Sequence, residues 1–189
     1  MPAECPTFGR GASHVNRNSG GEFRYNIMYE DVYKLCGRIH TAFQEGGLSL
    51  SVAESCTGGL ISNSITDIPG ASSFFKAGLV TYSADAKKTI LGIQEATIRK
   101  WGVVSAETAL EMAVCTRNLT KTDFSVATTG NLGPDALEGK DVGLVYIAVS
   151  SGGGSFSRKF SFWGNRAENK IAATVSALKL LLEVIDLSA

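Results

Sequence analysis

Short apolar segments with strand-like periodicity alternate with helical segments along most of this chain. LSLSVA (48–53), GLVTYS (78–83) and FSVATT (124–129) have the composition of strands. The segment before the first strand has an apolar residue at every third or fourth position, typical of one helix face: Val32, Leu35, Ile39 and Phe43. Because strands that alternate with helices favour parallel pairing, this order predicts an α/β fold.

The last third of the chain departs from this alternation. VGLVYIAVS (142–150) and SFSRKFSFW (155–163) are separated only by SGGG, which predicts an antiparallel hairpin. Asn165 and Glu168 have the spacing of a capping box and begin a final helix that extends to Ile185. The predicted order is α-β-α-β-α-α-β-β-β-α. We therefore predict a single three-layer α/β/α domain with a mixed, mostly parallel sheet and a late antiparallel hairpin.

The N-terminal segment lacks this organisation. Residues 1–28 are rich in Gly, Ser, Asn and Arg and have no periodicity, so we predict a disordered extension before a domain of residues 29–189. An expression leader and a weak targeting peptide are the alternatives. Glu4 and Glu22 disfavour a transit peptide, because such peptides are poor in acidic residues.

The charge balance and the cysteine spacing exclude several classes of protein. Eighteen basic and eighteen acidic residues give no net charge, so we expect no nucleic-acid partner. No run approaches the roughly 20 apolar residues that span a bilayer, so we expect no membrane association. The cysteines are widely spaced and the two histidines lack ligand-like spacing, which predicts a reducing, cytoplasmic compartment and no metal site.

AESCTGG (53–59) is the first segment that could carry chemistry. A serine that follows a strand and opens a helix can lie before free helix N–H groups, which stabilise developing negative charge. Ser55 is therefore a candidate nucleophile, and Gly58 and Gly59 allow a ligand close to the backbone. Alternatively, Ser55 or Thr57 is only a helix cap. Cys56 is a competing nucleophile, but no histidine lies near it in sequence, which favours a Ser–Lys pair.

VTYSADAK (80–87) is the second such segment. Tyr82 is predicted at a strand end and Lys87 in the first turn of the next helix, where α/β sheets form their ligand crevice. A lysine there can act as a base if burial lowers its pKa. The alternative is a solvated helix lysine beside Lys88.

Two further segments could bind a ligand. The loop TTGNLGPDA (128–136) follows a strand and could supply backbone donors, although it could also be an ordinary connection. Asn165 and Arg166 begin the last helix, where an arginine and free N–H groups suit a phosphate. A capped terminus with a surface arginine is the alternative.

Together these segments resemble the CinA C-terminal domain family, also called the PncC nicotinamide-nucleotide amidase family. The matching strings occur in the family's order and cover about residues 30–186: VAESCTGGLIS, TDIPGASSFFKAGLVTYSADAKKTILGI, WGVVSAETALEMA, TTGNLGP, VGLVYIAV and GNR. The resemblance implies a three-layer α/β/α fold. It also implies hydrolysis of the carboxamide of nicotinamide mononucleotide to nicotinate mononucleotide and ammonia, with no metal or organic cofactor.

The resemblance also implies roles for individual residues. It makes Ser55 the nucleophile, Lys87 the general base and Tyr82 a pocket residue that orients the substrate or the lysine. It implies phosphate binding by Arg166. It predicts substrate contacts from two glycine-containing segments: Glu54, Cys56, Thr57, Gly58, Gly59, Gly130, Asn131 and Gly133. The family and general base rates favour a homodimer or a higher homo-oligomer.

The loop after Gly130 departs from the family pattern. The family reads TGIAGP, where this chain has Asn131 and Leu132 between its two glycines, and DALEGKD (135–141) replaces a longer, glycine-richer stretch. These changes keep two alternatives open. One is a catalytically inactive nucleotide-binding homologue, and the other is an interaction module in competence or DNA-damage responses.

Overall fold

The structure is a computed structural model that describes residues 19–188, with side chains from 29 to 187. Its strands are β1 (Leu50–Glu54), β2 (Phe75–Val80), β3 (Phe124–Gly130), β4 (Leu144–Ser151) and β5 (Gly154–Ser161). Its helices are α1 (Ser19–Gly46), α2 (Leu60–Thr66), α3 (Ala84–Leu91), α4 (Glu95–Trp101), α5 (Ala106–Thr120) and α6 (Arg166–Ser188). A single 3₁₀ turn, Ala71–Ser73, precedes β2.

The five strands form one mixed sheet in the order β2-β1-β3-β4-β5. β1 pairs in parallel with both β2 and β3, whereas β4 pairs antiparallel with both β3 and β5. Of these five strands, β4 alone runs opposite to the other four. The predicted mixed, mostly parallel sheet with a late antiparallel hairpin is therefore confirmed.

Helices cover both faces of the sheet, which confirms the three layers. On one face α1, α2 and α6 enclose the larger apolar core, to which β1 contributes Leu50 and Val52. On the other face α5 packs on the central strands, and α3 and α4 pack against α5. β1 is buried along its whole length because it has a helical layer on each side.

The α5 face of the sheet is built from small residues. Ala53 pairs with Ala127, and Ala127 pairs with Ala148, so three alanines form a row across three neighbouring strands. α5 lies over this row with Ala109 and Ala113 fully buried. Short side chains on both surfaces let the helix approach the strands closely.

The N-terminal boundary needs a correction. α1 begins at Ser19, so residues 19–28, which were predicted to belong to the extension, are helical. The segment contains no proline, and extending a helix already held by a packed stripe costs far less than starting one. Residues 1–18 of the predicted extension lie outside the described part of the chain.

Two other element predictions differ from the structure, and a third is confirmed. β2 spans Phe75–Val80 in place of 78–83, because it is an edge strand whose alternating burial begins at Phe75. α4 was not predicted, since its seven residues include no buried one and so lack an apolar stripe. The capping box of α6 is confirmed: the Glu168 carboxylate accepts from Asn165 N–H, and Asn165 Oδ1 accepts from Glu168 N–H.

Within residues 19–188, no helix is both long and apolar enough to cross a bilayer. In the same part of the chain, no three His, Cys, Asp or Glu side chains lie close enough together to hold a metal ion.

Candidate active site

Ser55 and Lys87 meet where the parallel strands β1 and β2 end. Ser55 follows β1 directly, and Lys87 lies in the first turn of α3, which Ser83 caps. Lys87 Nζ lies 2.8 Å from Ser55 Oγ, and the two residues are only 1% and 7% exposed. The structure therefore brings together the two residues predicted as base and nucleophile.

The surroundings of Lys87 favour a neutral amine. Burial lowers the pKa of Lys87 from 10.5 to about 8, and the attraction of Cys56 and Glu138 opposes that decrease. Lys87 Nζ also donates to the carbonyl oxygen of Thr81 at 2.9 Å, which fixes the direction of the side chain. Near pH 8 a large fraction of Lys87 can accept a proton from the Ser55 hydroxyl.

Glu54 caps helix α2 from the end of β1. Its fully buried carboxylate accepts hydrogen bonds from the backbone N–H groups of Gly59, Ile61 and Ser62 and from the Ser62 hydroxyl. These are N–H groups that a helix start leaves without partners, and a negative charge there is also stabilised by the helix dipole. Glu54 caps α2 and does not line the pocket described below, and its substrate contact stays a prediction.

The capping by Glu54 corrects the predicted start of α2. The helix begins at Leu60, and its first N–H groups are occupied by Glu54, so they do not face a ligand bound at Ser55. Neither Ser55 nor Thr57 caps the helix, since the Thr57 hydroxyl instead lies 2.8 Å from Thr128 Oγ1. In the part of the chain that the structure describes, the Cys56 and Thr57 N–H groups donate to no other residue, and they are the donors nearest to Ser55 in sequence.

Among the described residues, Cys56 lacks the hydrogen bond to Lys87 that Ser55 makes. Burial raises the pKa of the Cys56 thiol to about 12, so the thiol stays protonated at neutral pH. Lys87 Nζ contacts Ser55 Oγ, and no hydrogen bond joins it to the Cys56 thiol within the part of the chain that the structure describes, so this geometry favours Ser55 while the nucleophile itself stays a prediction.

A cavity of about 250 Å³ lies next to the Ser55–Lys87 pair. Its lining comes from five places in the chain: Ser55 and Cys56; Tyr82 and Lys87; Val103 and Val104; residues 129–137; and Arg166. A larger and more open depression of about 730 Å³, beside the turn between β4 and β5, lies elsewhere in the fold. The smaller cavity is the candidate site, because it contains the buried Ser–Lys pair.

Arg166 links two sides of this cavity. Its guanidinium donates to the Tyr82 hydroxyl at 2.6 Å and to the carbonyl oxygen of Gly133. Tyr82 lies in the loop after β2, since β2 ends at Val80, and its ring is 58% exposed. The Tyr82 hydroxyl contacts Arg166, and no hydrogen bond joins it to Ser55 or Lys87 among the described residues.

The remaining predicted binding residues divide into two groups. Asn131 stabilises the loop between β3 and β4, because its side chain donates to Lys140 O and accepts from Gly133 N–H. Asn131 and Gly133 both line the cavity. Gly130 lines the cavity too, and a Cβ there would lie 2.7 Å from Leu144 O. The other group is Thr57, Gly58 and Gly59. These residues do not line the cavity and instead form the turn before α2.

Sequence reasoning missed one wall of the cavity. Val103 and Val104 lie between α4 and α5 and were predicted only as part of a matching string. Leu132 and Pro134 to Leu137 line the cavity from the opposite loop. The local sequence signal for this wall is Gly102, which ends α4 directly before the two valines.

A five-stranded mixed sheet between two helical layers, with a buried serine–lysine pair where two parallel strands end, defines a class of α/β/α proteins. The family model of the CinA C-terminal domain matches residues 32–185, and the chain belongs to that family. The predicted family is therefore confirmed.

Individual relatives agree with this assignment. The competence/damage inducible protein CihA from Agrobacterium tumefaciens is 38% identical, with a TM-score of 0.79 over 82% of this chain and 95% of that chain. A competence or damage-inducible protein from Enterobacter asburiae is 32% identical, with a TM-score of 0.80 over 82% of this chain and 98% of that chain. A CinA-like protein from Chloroherpeton thalassium is 45% identical over 147 residues, which are 75% of this chain. The chain spans 35% to 40% of the length of three such curated relatives.

Proposed function

We propose that this chain hydrolyses the carboxamide of nicotinamide mononucleotide to nicotinate mononucleotide and ammonia. The observation that carries the proposal is the 2.8 Å contact between Lys87 Nζ and Ser55 Oγ beside a cavity of about 250 Å³. A nucleophile within hydrogen-bond reach of a base is what acyl transfer through a serine requires. The resemblance to the nicotinamide-nucleotide amidases supplies the substrate.

The geometry supports an acyl-enzyme mechanism. Neutral Lys87 accepts the Ser55 proton while Ser55 Oγ attacks the carboxamide carbon. The resulting oxyanion is stabilised by a backbone N–H group, for which we propose that of Cys56, which lines the cavity. The Lys87 ammonium then donates its proton to the departing nitrogen, and ammonia leaves. Water attacks the acyl carbon as Lys87 takes its proton, and Lys87 returns that proton to Ser55 Oγ as the ester bond breaks, which releases nicotinate mononucleotide and restores Ser55 and neutral Lys87.

Arg166 suits the phosphate of this substrate. A guanidinium has five N–H donors, and the Tyr82 and Gly133 contacts use only part of them. The rest can donate to phosphate oxygens in the geometry that arginine favours. The phosphate would then lie at Arg166 and the carboxamide at Ser55, within one cavity.

Ammonia release from nicotinamide mononucleotide by the purified protein tests the proposal, with Ser55→Ala measured in parallel. We expect release by the wild type and its loss, by at least about 10³-fold, in Ser55→Ala. Ser64→Ala is the matched control: Ser64 is also buried, but among the described residues its hydroxyl bonds only to Leu60 O within α2, so turnover should persist. Equal rates in Ser55→Ala and the wild type would contradict the nucleophile.

The altered β3–β4 loop motivates one other candidate, a nucleotide-binding protein without amidase activity. Its signature would be saturable binding of nicotinamide mononucleotide by a folded protein that releases no ammonia. The same preparation therefore distinguishes the two functions when binding is measured by calorimetry beside the ammonia assay.

A further inference from the structure

Two side chains of the β3–β4 loop (residues 131–143) join it to the segment between α4 and α5. We call this joint the clasp; it consists of Glu138, Lys140 and the backbone groups of residues 101–104. The Glu138 carboxylate accepts hydrogen bonds from Val103 N–H at 2.9 Å and from Val104 N–H at 3.3 Å. The carboxylate thus binds two consecutive backbone donors more than thirty residues away in sequence.

Lys140 completes the clasp from the same loop. Its ammonium donates to Trp101 O at 2.9 Å, to Val104 O at 2.6 Å and to the Glu138 carboxylate at 3.2 Å. An ammonium has three donors, and all of them are used here. Burial alone would raise the pKa of the Glu138 carboxyl, but the bonds from Val103, Val104 and Lys140 hold it below its usual value, so Glu138 is ionised at neutral pH.

The backbone on each side is adapted to the clasp. Gly102 has φ +81°, and a Cβ at that position would overlap the Glu138 carboxylate and lie 2.8 Å from Lys140 Nζ. Glu138 itself has φ +55°, in the left-handed region that is unfavourable for a residue with a side chain. A glycine that leaves room for the two side chains, and a glutamate held in an unfavourable conformation, both indicate that the contact is specific.

The clasp connects two walls of the candidate site. Val103 and Val104 line the cavity on one side, and residues 132–137 of the β3–β4 loop line it on the other. We propose that Glu138 and Lys140 are positioning residues for substrate, because the clasp holds these two walls at a fixed separation. This inference rests on the proposed function for the identity of the substrate, and it assigns a role to the loop segment that departs from the family pattern.

Lys140→Met tests the clasp by kinetics, since methionine keeps the apolar stem and removes all three donors. Loosening the wall should raise KM for nicotinamide mononucleotide about tenfold and change kcat less than about twofold, because Ser55 and Lys87 lie outside the clasp. Lys140→Arg should restore most of the loss, since arginine keeps the donors. Lys159→Met, on the exposed face of β5, is the matched control and should leave both constants unchanged. An unchanged KM in Lys140→Met would overturn the positioning role.

Amide hydrogen exchange tests the clasp without activity. In Glu138→Gln the charge that binds Val103 and Val104 N–H is lost, so exchange at these two amides should become about tenfold faster while β1 and β3 stay protected. Unchanged exchange at both amides would overturn the clasp. Absence of ammonia release by the wild type would contradict the proposed function alone, and the exchange result would still decide whether the clasp joins the two walls.

Discussion

The two sides of the candidate site are held in different ways. On the catalytic side, Ser55 directly follows the buried strand β1, Lys87 is buried at the start of α3, and Glu54 anchors this side with hydrogen bonds to α2. The binding side consists of the β3–β4 loop and Val103–Val104, which are joined through Glu138 and Lys140 near the surface. Core packing fixes the first side, whereas a few partly exposed polar contacts fix the second.

This difference separates chemistry from recognition within one small fold. Changes on the catalytic side should alter turnover or the stability of the whole domain, because the same residues belong to the core. Changes on the binding side should alter substrate affinity and leave the fold intact. The loop that departs from the family pattern lies on the binding side, which is where substrate choice can change without loss of the nucleophile.

Removal of the buried amine should have the largest effect. Lys87→Met eliminates the base, so we expect kcat for ammonia release to fall about 10³-fold or more. The free energy of unfolding should rise by about 2 kcal/mol at pH 7, because a buried ammonium is replaced by an apolar side chain of similar length. Single-turnover rates and urea unfolding measure the two effects. Lys88→Met is the neighbouring control. A rate loss in Lys88→Met as large as that in Lys87→Met would contradict the assignment of Lys87 as the base.

Glu54 tests whether the catalytic side depends on the helix cap. Glu54→Gln keeps the size of the side chain but removes the charge that accepts from Gly59, Ile61 and Ser62, so the free energy of unfolding should fall by about 3 kcal/mol. Urea unfolding provides the measurement. Glu95→Gln, at the exposed start of α4, should cost less than about 1 kcal/mol. If Glu54→Gln instead kept wild-type stability and raised KM, that result would support the substrate contact of Glu54 predicted from the sequence.

The pH dependence follows from the burial of Lys87. Because the neutral amine is the proposed base and burial lowers its pKa to about 8, kcat/KM should rise about tenfold per pH unit below pH 8 and level off above it. Stability should change in the same direction: between about 8 and 10.5 the unfolded chain keeps a proton that the folded chain has lost, so unfolding becomes less favourable as pH rises. A pH–rate profile with its midpoint near 10.5 would show that Lys87 is not desolvated. The stability slope should disappear in Lys87→Met.

Cys56 should give the smallest effect. Its thiol is buried with a raised pKa, so Cys56→Ser should change kcat less than about threefold, and native protein should resist alkylation at this position. Activity and iodoacetamide labelling followed by mass spectrometry measure both expectations. A loss equal to that of Ser55→Ala would instead identify Cys56 as the attacking group.

Local patterns predicted the fold and placed Ser55 and Lys87 at neighbouring strand ends, and the resemblance to the family supplied their roles. Strand and helix periodicities are local, and a residue just after a parallel strand must lie at the same sheet edge as its counterpart after the neighbouring strand. The role of Glu54 was missed because its partners lie five to eight residues later, beyond the spacing of usual caps. The clasp was missed because it joins two loops, where no periodicity marks which side chains meet.

Arg166 has a consequence for the entropy of binding. Its guanidinium is held by the Tyr82 hydroxyl and the Gly133 carbonyl oxygen of the protein itself. A free arginine loses about 0.5–1.5 kcal/mol of rotamer freedom when a ligand immobilises it, and here that loss has largely occurred during folding. An anion that reaches this end of the cavity would therefore meet a preorganised partner, and its affinity would depend more on the enthalpy of the new contacts than on ordering the protein.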